Sequence, residues 1–458
     1  MSNSVDAVAN KSALRKKFLH YLFPSVIAMW VYSIYTMVDG MFVGRGVGPT
    51  ALAAVNIAMP YVNFVFACSM FFSTGASTII SISLGKNNNK DANEIFTLNL
   101  VAMIVFSLTI SILSYINIDK LALFLGATEN TLPFVISYLK IIIVFNTFFI
   151  VSYCLEVLTK TDGYPYLAII GVVLSAITNI VLDYLFVIKL NRGVEGAAVA
   201  TGISQVISTI FFFSHFCRKV SKLKLTKFKF KFNTIKRIIF IGFPDAITEL
   251  TSGVVILLFN QSILKYIGEN GIVSYSVICY VSTLVLMTMI GITQGMQPLS
   301  SFYFGKEDNT SIKQLLKMSF KAITFASILI FTISIIFTNE IVSIFISKEN
   351  LELFSYSVKS FRIYSFSFLI LGYNILISGF SSSIEKPVYA TIISLSRGLI
   401  LVSIVLLVMI TMFGGSGIWF TTIISEGLCV IISFFVIKKS LIYINSNEPD
   451  DSLEIDCF

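Results

Sequence analysis

The side chains able to do chemistry in this chain are a few charged and amide groups set inside long apolar runs. They are Asp39, Glu156, Asp183, Asp245, Glu249 and Glu426, with Arg397 the single base in such a position. An acid at the centre of a membrane helix costs about 2.5–3.5 kcal/mol, so each calls for a partner or a function. Asn179 and Asp183 are one turn apart on one helix face, and Asp39 and Thr201 are expected at a comparable depth on neighbouring helices. Two carboxyls, an amide and a hydroxyl can ligate a hard monovalent cation such as Na+ or share protons. The competing account is polar packing between helices. Glu249, Glu426 and Arg397 fall near mid-depth, which suits either a self-neutralising ion pair or triad or a substrate role. Asp245 falls nearer a span end and is expected in the aqueous interface, whereas Glu156 and Gln297 are expected at the cleft.

Catalysis has little material here. His20 and His215 sit near span ends and far apart, and both suit packing. Six cysteines, from Cys68 to Cys457, show neither metal nor disulfide spacing. The expectation is a protein that is not an enzyme and carries no cofactor beyond a coupling ion, H+ or Na+.

The elements that position these groups follow from composition. Of 458 residues, 56% are hydrophobic and 13% charged, with a mean hydropathy of +0.86. That is about half the charge density of a soluble domain, so the chain reads as an all-α polytopic membrane protein. Runs of about 20 apolar residues give twelve spans, the first near 18–43 and the last near 415–437. The net charge of +8 does not indicate nucleic acid, because the basic residues fall in short gaps between spans. With the N-terminus inside, 23 Lys and Arg fall on the inner side against nine outside. The expected orientation is therefore multi-pass in the plasma membrane with both termini cytoplasmic.

The halves repeat. Phe23-Pro24 matches Phe243-Pro244, Gly48 matches Gly268, and Gly85-Lys86 matches Gly305-Lys306, all at one offset. Gly193, Gly196, Thr201 and Ser204 meet Gly414, Gly417, Thr422 and Ser425 one residue later. Six spans per copy is even, so the copies cross in the same sense about an axis along the membrane normal. The boundaries read as a cytoplasmic segment 1–17, an N-lobe 18–216, a basic linker 217–237, a C-lobe 238–437 and a cytoplasmic tail 438–458. Pro24, inside the first span, removes a helix hydrogen bond and is read as a hinge linked to Asp39.

Four stretches carry a family likeness: VDGMFVGRGVGPTALAAVNIAMPY (38–61), NIVLDYLFVI (179–188), GVEGAAVATGIS (193–204) and GFPDAITE (242–249). They resemble the MATE family of multidrug and toxic-compound extrusion transporters, in its MepA-like bacterial branch. The resemblance covers nearly the whole chain and implies a V-shaped pair of six-helix lobes that exchange organic cations for protons or sodium. It implies that Asp39, Asn179, Asp183 and Thr201 form the coupling site. Tyr35, Glu156 and Glu249 would lie at the substrate cleft. Two departures stand out: Tyr184 replaces the usual proline after the fifth-helix aspartate, and the tenth span lacks an acid.

The expected activity is alternating-access export of lipophilic cations by a monomer whose partners are its small-molecule substrates and the bilayer. The alternative is a lipid-linked oligosaccharide flippase of the same superfamily, which would need a strongly cationic cavity for pyrophosphate.

Overall fold

The computed structural model describes residues 2–446, and Cys457 with the tail beyond 446 lies outside the described residues. In the first half six long helices form a lobe: α1 (Ser2–Gly46), α2 (Pro49–Gly85), α3 (Asn89–Ile116), α5 (Leu132–Thr161), α6 (Pro165–Asp183) and α7 (Gly193–Cys217). A short α4 (Ile118–Phe124) follows α3. The second half answers with α8 (Phe232–Tyr266), α9 (Glu269–Gly305), α10 (Asn309–Ile336) and a short α11 (Thr338–Phe345). Its last three crossings are α12 (Leu351–Ser365) with α13 (Leu371–Ser383), α14 (Pro387–Leu395) with α15 (Leu401–Phe413), and α16 (Thr421–Ser446).

Among the described residues 11 stretches are long and apolar enough to cross a membrane, the last running over 59 residues. A straight helix that long would far exceed any bilayer. The left-handed Gly414 and a tight turn at Gly414–Phe420 reverse it, and α15 packs against α16. Twelve crossings result. Helices are the form that satisfies every backbone group without water.

The repeat is visible in the backbone. Left-handed Gly48 and Gly268, Asn87 and Glu307, and Gly193 and Gly414 occupy equivalent turns of the two copies. Asn88 and Asp308 cap equivalent helices by accepting from the backbone N–H of Asp91 and Ser311. The most apolar part of α2 is 89% buried and that of α10 22%, so α2 forms a central wall while α10 faces lipid.

The lobes join at the end that carries the 217–237 linker. A Cβ on Gly85 would lie 2.1 Å from the Phe302 carbonyl oxygen, and one on Gly305 2.2 Å from that of Ile82. Ile82 and Phe302 are themselves repeat partners, so the pseudo-two-fold axis passes between α2 and α9 here. In the same half, Leu14, Phe18, Tyr21 and Leu22 of α1 enter one apolar cluster with Leu299, Ile312 and Leu316 of the second lobe. The stretch 1–17, expected as a cytoplasmic segment, is helical from Ser2, and its Leu14 is part of this cluster. At the opposite, far end the lobes pack separately, with Val43, Ala51 and Val55 in one apolar cluster and Phe259, Ile263 and Tyr275 in another. The two lobes form a V that opens at the far end.

The linker is held as well. The Asp162 carboxylate receives the backbone N–H of Lys222 at 2.9 Å and Leu223 at 3.2 Å, and contacts His215 Nε2 at 2.7 Å. His215, expected as simple packing, is a buried partner that fixes where the linker begins.

The glycine seam yields a prediction. Gly85→Leu should force α2 and α9 apart, at a cost to the joined state of about 1–3 kcal/mol. A cysteine placed at buried Ser300 should then become reactive to a membrane-impermeant maleimide from the linker side. Equal labelling of that cysteine with and without the Gly85→Leu change would contradict this account of the seam.

Candidate functional site

The first lobe encloses a cavity with about 1050 Å³ of empty space, mouth included. Its walls come from α1 (Tyr32, Tyr35, Asp39), α2 (Phe66), α5 (Tyr138, Tyr153, Glu156) and α7 (Thr201, Gln205). Tyr32 stacks on Phe66 at 5.6 Å, and Phe66 meets Tyr153 edge-on at 4.7 Å. An aromatic belt with carboxylates at either end attracts a lipophilic cation through ring quadrupoles and charge. No Lys, Arg or His lines this cavity among the described residues.

The structure brings the four expected coupling residues together. Asp39 and Thr201 line the cavity wall, while Asn179 and Asp183 lie fully buried behind it. The Asn179 amide donates to Thr201 Oγ1 at 3.3 Å, and that hydroxyl donates to the Ala197 carbonyl at 3.0 Å. Asp39 and Asp183 meet where α1 packs on α6, and Tyr138 lines the same cavity as Asp39. Asp39 Oδ1, both Asp183 oxygens and Asn179 Oδ1 are buried without a donor. An unsatisfied buried acceptor costs about 1–3 kcal/mol, and more when charged. The set offers unsatisfied acceptors only, and these are hard oxygens of the kind that bind a proton, a water or a hard cation such as Na+.

Directly after Asp183 the helix widens into a π turn at Tyr184–Lys189, where relatives were expected to carry proline. A second π turn, Ser396–Ile400, holds Arg397 on the equivalent helix of the other lobe. Such turns re-aim side chains and often mark functional positions. Pro24 lies inside α1, which continues unbroken from Ser2 to Gly46.

The second lobe and the seam share a cavity of about 650 Å³ lined by Asp245, Thr248, Glu249, Gln294, Gln297, Asn374 and Arg397. Glu249 and Gln297 lie in this chamber, apart from the Asp39 cluster. Asp245, expected at the aqueous interface, instead lines it with Thr74 and Gln297, because α2 and α9 pack against its helix there. Of the ion pair or triad open to Glu249, Glu426 and Arg397, the structure holds the pair. Arg397 Nε donates to Glu426 Oε1 at 2.7 Å, and Asn374 Nδ2 donates to Glu426 Oε2 at 2.7 Å. Ser433 in turn donates to Asn374 at 2.7 Å. Glu249 takes no part and has no ion-pair partner among the described residues.

Glu156 reaches the cleft, but not as a free acid. Its Oε1 is 2.8 Å from Lys160 Nζ, with both side chains buried. Lys160 falls by sequence in the short inner gap after the fourth span. Ser77 bonded to Thr161 at 2.7 Å holds α2 over this end of α5 and removes Lys160 from water. Tyr153, Glu156 and Lys160 follow helical spacing on α5, a signal by which Tyr153 and Lys160 were legible. Gln205, Gln294 and Asn374 carry no such signal.

The MatE family model matches residues 24–185 and 244–409, one stretch in each lobe. The multidrug export protein MepA of Staphylococcus saprophyticus is 24% identical over 431 residues, covering 93% of this chain and 94% of its own. MepA of Staphylococcus haemolyticus is 25% identical over 434 residues with the same coverage. Among solved structures, the outward-facing conformation of a multidrug resistance MATE family transporter of the MOP superfamily is similar at a TM-score of 0.89. It shares 20% identity and covers 94% of this chain and 97% of its own. A MATE protein in the bent conformation gives 0.88 at 19% identity, over 95% and 97%. These structures share the fold.

The Arg397–Glu426 pair is testable apart from transport. Glu426→Gln strands a buried guanidinium and should cost about 3–5 kcal/mol, read as a lower Tm in detergent. The double change Arg397→Met with Glu426→Leu should recover most of it. A double variant less stable than Glu426→Gln would show that the pair contributes more than mutual neutralisation.

Proposed function

The chain belongs to the MatE family, and on that premise we propose that it exports lipophilic organic cations from the cytoplasm in exchange for protons or sodium ions. The observation that carries this reading is the group of buried oxygens without donors at Asp39, Asp183 and Asn179, beside an aromatic cavity that holds Asp39 and Glu156 and no base. One site asks for a small cation and its neighbour suits a large one. The relatives named for multidrug export are consistent with that pairing.

The linker end, rich in Lys and Arg, is read as cytoplasmic and the membrane as the plasma membrane. The V then opens outward. In the proposed cycle substrate enters while the lobes part on the cytoplasmic side, and it settles against Tyr32, Phe66 and Tyr153. When the lobes open outward, a proton or sodium ion reaches the Asp39–Asp183 pair from outside. Its binding removes the repulsion between the two carboxylates, which lets α1 draw toward α6 and narrows the cavity that held the drug. The ion leaves when the cytoplasmic side opens again.

Asp39 sits on the helix whose other end packs in the second lobe, so a shift at this carboxylate acts on the joint between lobes. Pro24 lies between the two and lacks the backbone N–H that would stiffen the helix there. One charge moved across 100 mV supplies about 2.3 kcal/mol, enough for about a fifty-fold gradient. Electroneutral exchange draws on the ion gradient instead. The flippase alternative gains no support, because a pyrophosphate in the first-lobe cavity would face carboxylates of its own sign.

Everted vesicles given a fluorescent organic cation in the medium, with sodium and pH gradients imposed separately, test the reading. Asp39→Asn and Asp183→Asn should each reduce gradient-driven uptake to the passive level while the protein remains folded. Undiminished coupling in both would remove this site from the mechanism.

A further inference from the structure

Lys160 is a charged group buried in the seam that the proposed cycle does not use. It is 2% exposed and sits below the first-lobe cavity, in a smaller space of about 360 Å³ with Ser77, Thr78, Gln294 and Pro298. A buried ammonium is tolerated only when paired and hydrogen-bonded. Its first partner is Glu156 on its own helix, at 2.8 Å. Its second is on the other lobe: Nζ donates to Gln294 Oε1 at 3.2 Å. The same amide donates through Nε2 to Tyr153 OH at 3.2 Å. Gln294 of α9 is therefore gripped by two side chains of α5, and one carboxylate holds the gripping cation in place.

From this geometry we infer that Lys160 is a tethered stand-in for the transported cation, holding Glu156 when the cleft is empty and latching the cytoplasmic side of the seam through Gln294. The inference rests on the export reading and names the group that substrate must displace. Glu156 belongs to the wall of the large cavity and Lys160 to the space beneath it, so a cationic substrate approaches the carboxylate from the opposite side to the ammonium.

Two cations then compete for one acid. When substrate leaves outward, the ammonium swings onto Glu156 and the carboxylate is never buried bare. The same swing brings Nζ to Gln294, so loss of substrate and closure of the inner seam become one event. When the lobes part inward, Gln294 departs with α9. Lys160 loses its second acceptor and gains access to water, and Glu156 becomes available to a cation from the cytoplasm. A neutral compound cannot win this exchange, because it offers the carboxylate nothing in place of the ammonium. Lys160 is thus a positioning residue that makes Glu156 selective for positive charge, at the cost of some affinity for each cation.

The test separates binding from turnover. Full-length protein in detergent is titrated with rhodamine 6G by fluorescence anisotropy, and transport of the same dye is followed in proteoliposomes. Lys160→Met should lower the Kd about tenfold while slowing turnover, and Lys160→Arg should restore both. In a Glu156→Gln background, Lys160→Met should no longer move the Kd. Lys160→Gln should act in the same direction as Lys160→Met and replaces it if that variant does not fold.

A Kd that stays unchanged or weakens in the folded neutral variants, with the unsubstituted protein still transporting the dye, overturns the role of Lys160 and leaves the export reading intact. An unsubstituted protein that neither binds nor moves rhodamine 6G overturns the export reading, and this inference with it.

Discussion

Two carboxyl groups buried against each other, with no donor from the protein, are the constraint on which the rest of this structure depends. Asp183 is fully buried and Asp39 nearly so, and the nearby amide gives its donor to Thr201 rather than to either acid. A soluble protein would resolve such a pair with an arginine or with water. Here no protein group is seen to neutralise it, and in the proposed cycle that is what gives a small ion leverage over the position of α1. The lever has reach because α1 is shared: its far half forms the first lobe's cavity, and its linker half is packed among second-lobe residues.

In the proposed cycle the duplicated fold turns that local event into a change of shape. Contact between the lobes is concentrated at one end, where Gly85 and Gly305 let backbones approach to distances that any side chain would prevent. Close packing of small residues, with no solvent-driven hydrophobic term, is how membrane helices adhere. Such a joint separates at modest cost, because little beyond van der Waals contact and a few hydrogen bonds crosses it. Trp30 donating to Thr288 and the Lys160–Gln294–Tyr153 grip are among the polar ties.

Much of this architecture was legible in the sequence, for a physical reason. Spans announce themselves because the bilayer tolerates no charge, and the repeat survives in residues that fix backbone geometry, such as Gly48 and Gly268 or Pro24 and Pro244. The Asp39–Asn179–Asp183–Thr201 group was also within reach, since acids in oil are costly and helical depth can be counted. What escaped depends on how helices meet. Counting charge by gap assigns Lys160 to the inner side and says nothing of its burial, which comes from α2 and α9 covering it. Depth alone grouped Glu249 with Arg397 and Glu426, and only the crossing of α13 with α16 shows that Asn374 completes that pair without it. The π turn at Tyr184, where proline was expected, shows the same limit: a widened backbone has no fixed residue signature.

The two lobes have kept one frame and diverged in the charges they hold. On the fifth helix of the first, Asp183 adjoins a π turn and is left without a counter-charge; on the fifth helix of the second, Arg397 lies within a π turn and is answered by Glu426. A duplicated unit begins with two equal halves, so a site that must be unsatisfied to respond to an ion can sit in one half while the other supplies a stable frame. That division explains why the neutralised network Arg397–Glu426–Asn374–Ser433 and the unneutralised pair Asp39–Asp183 occupy different lobes. A core in which both halves lacked counter-charges would incur the burial penalty twice, and one in which both were paired would give the ion nothing to change.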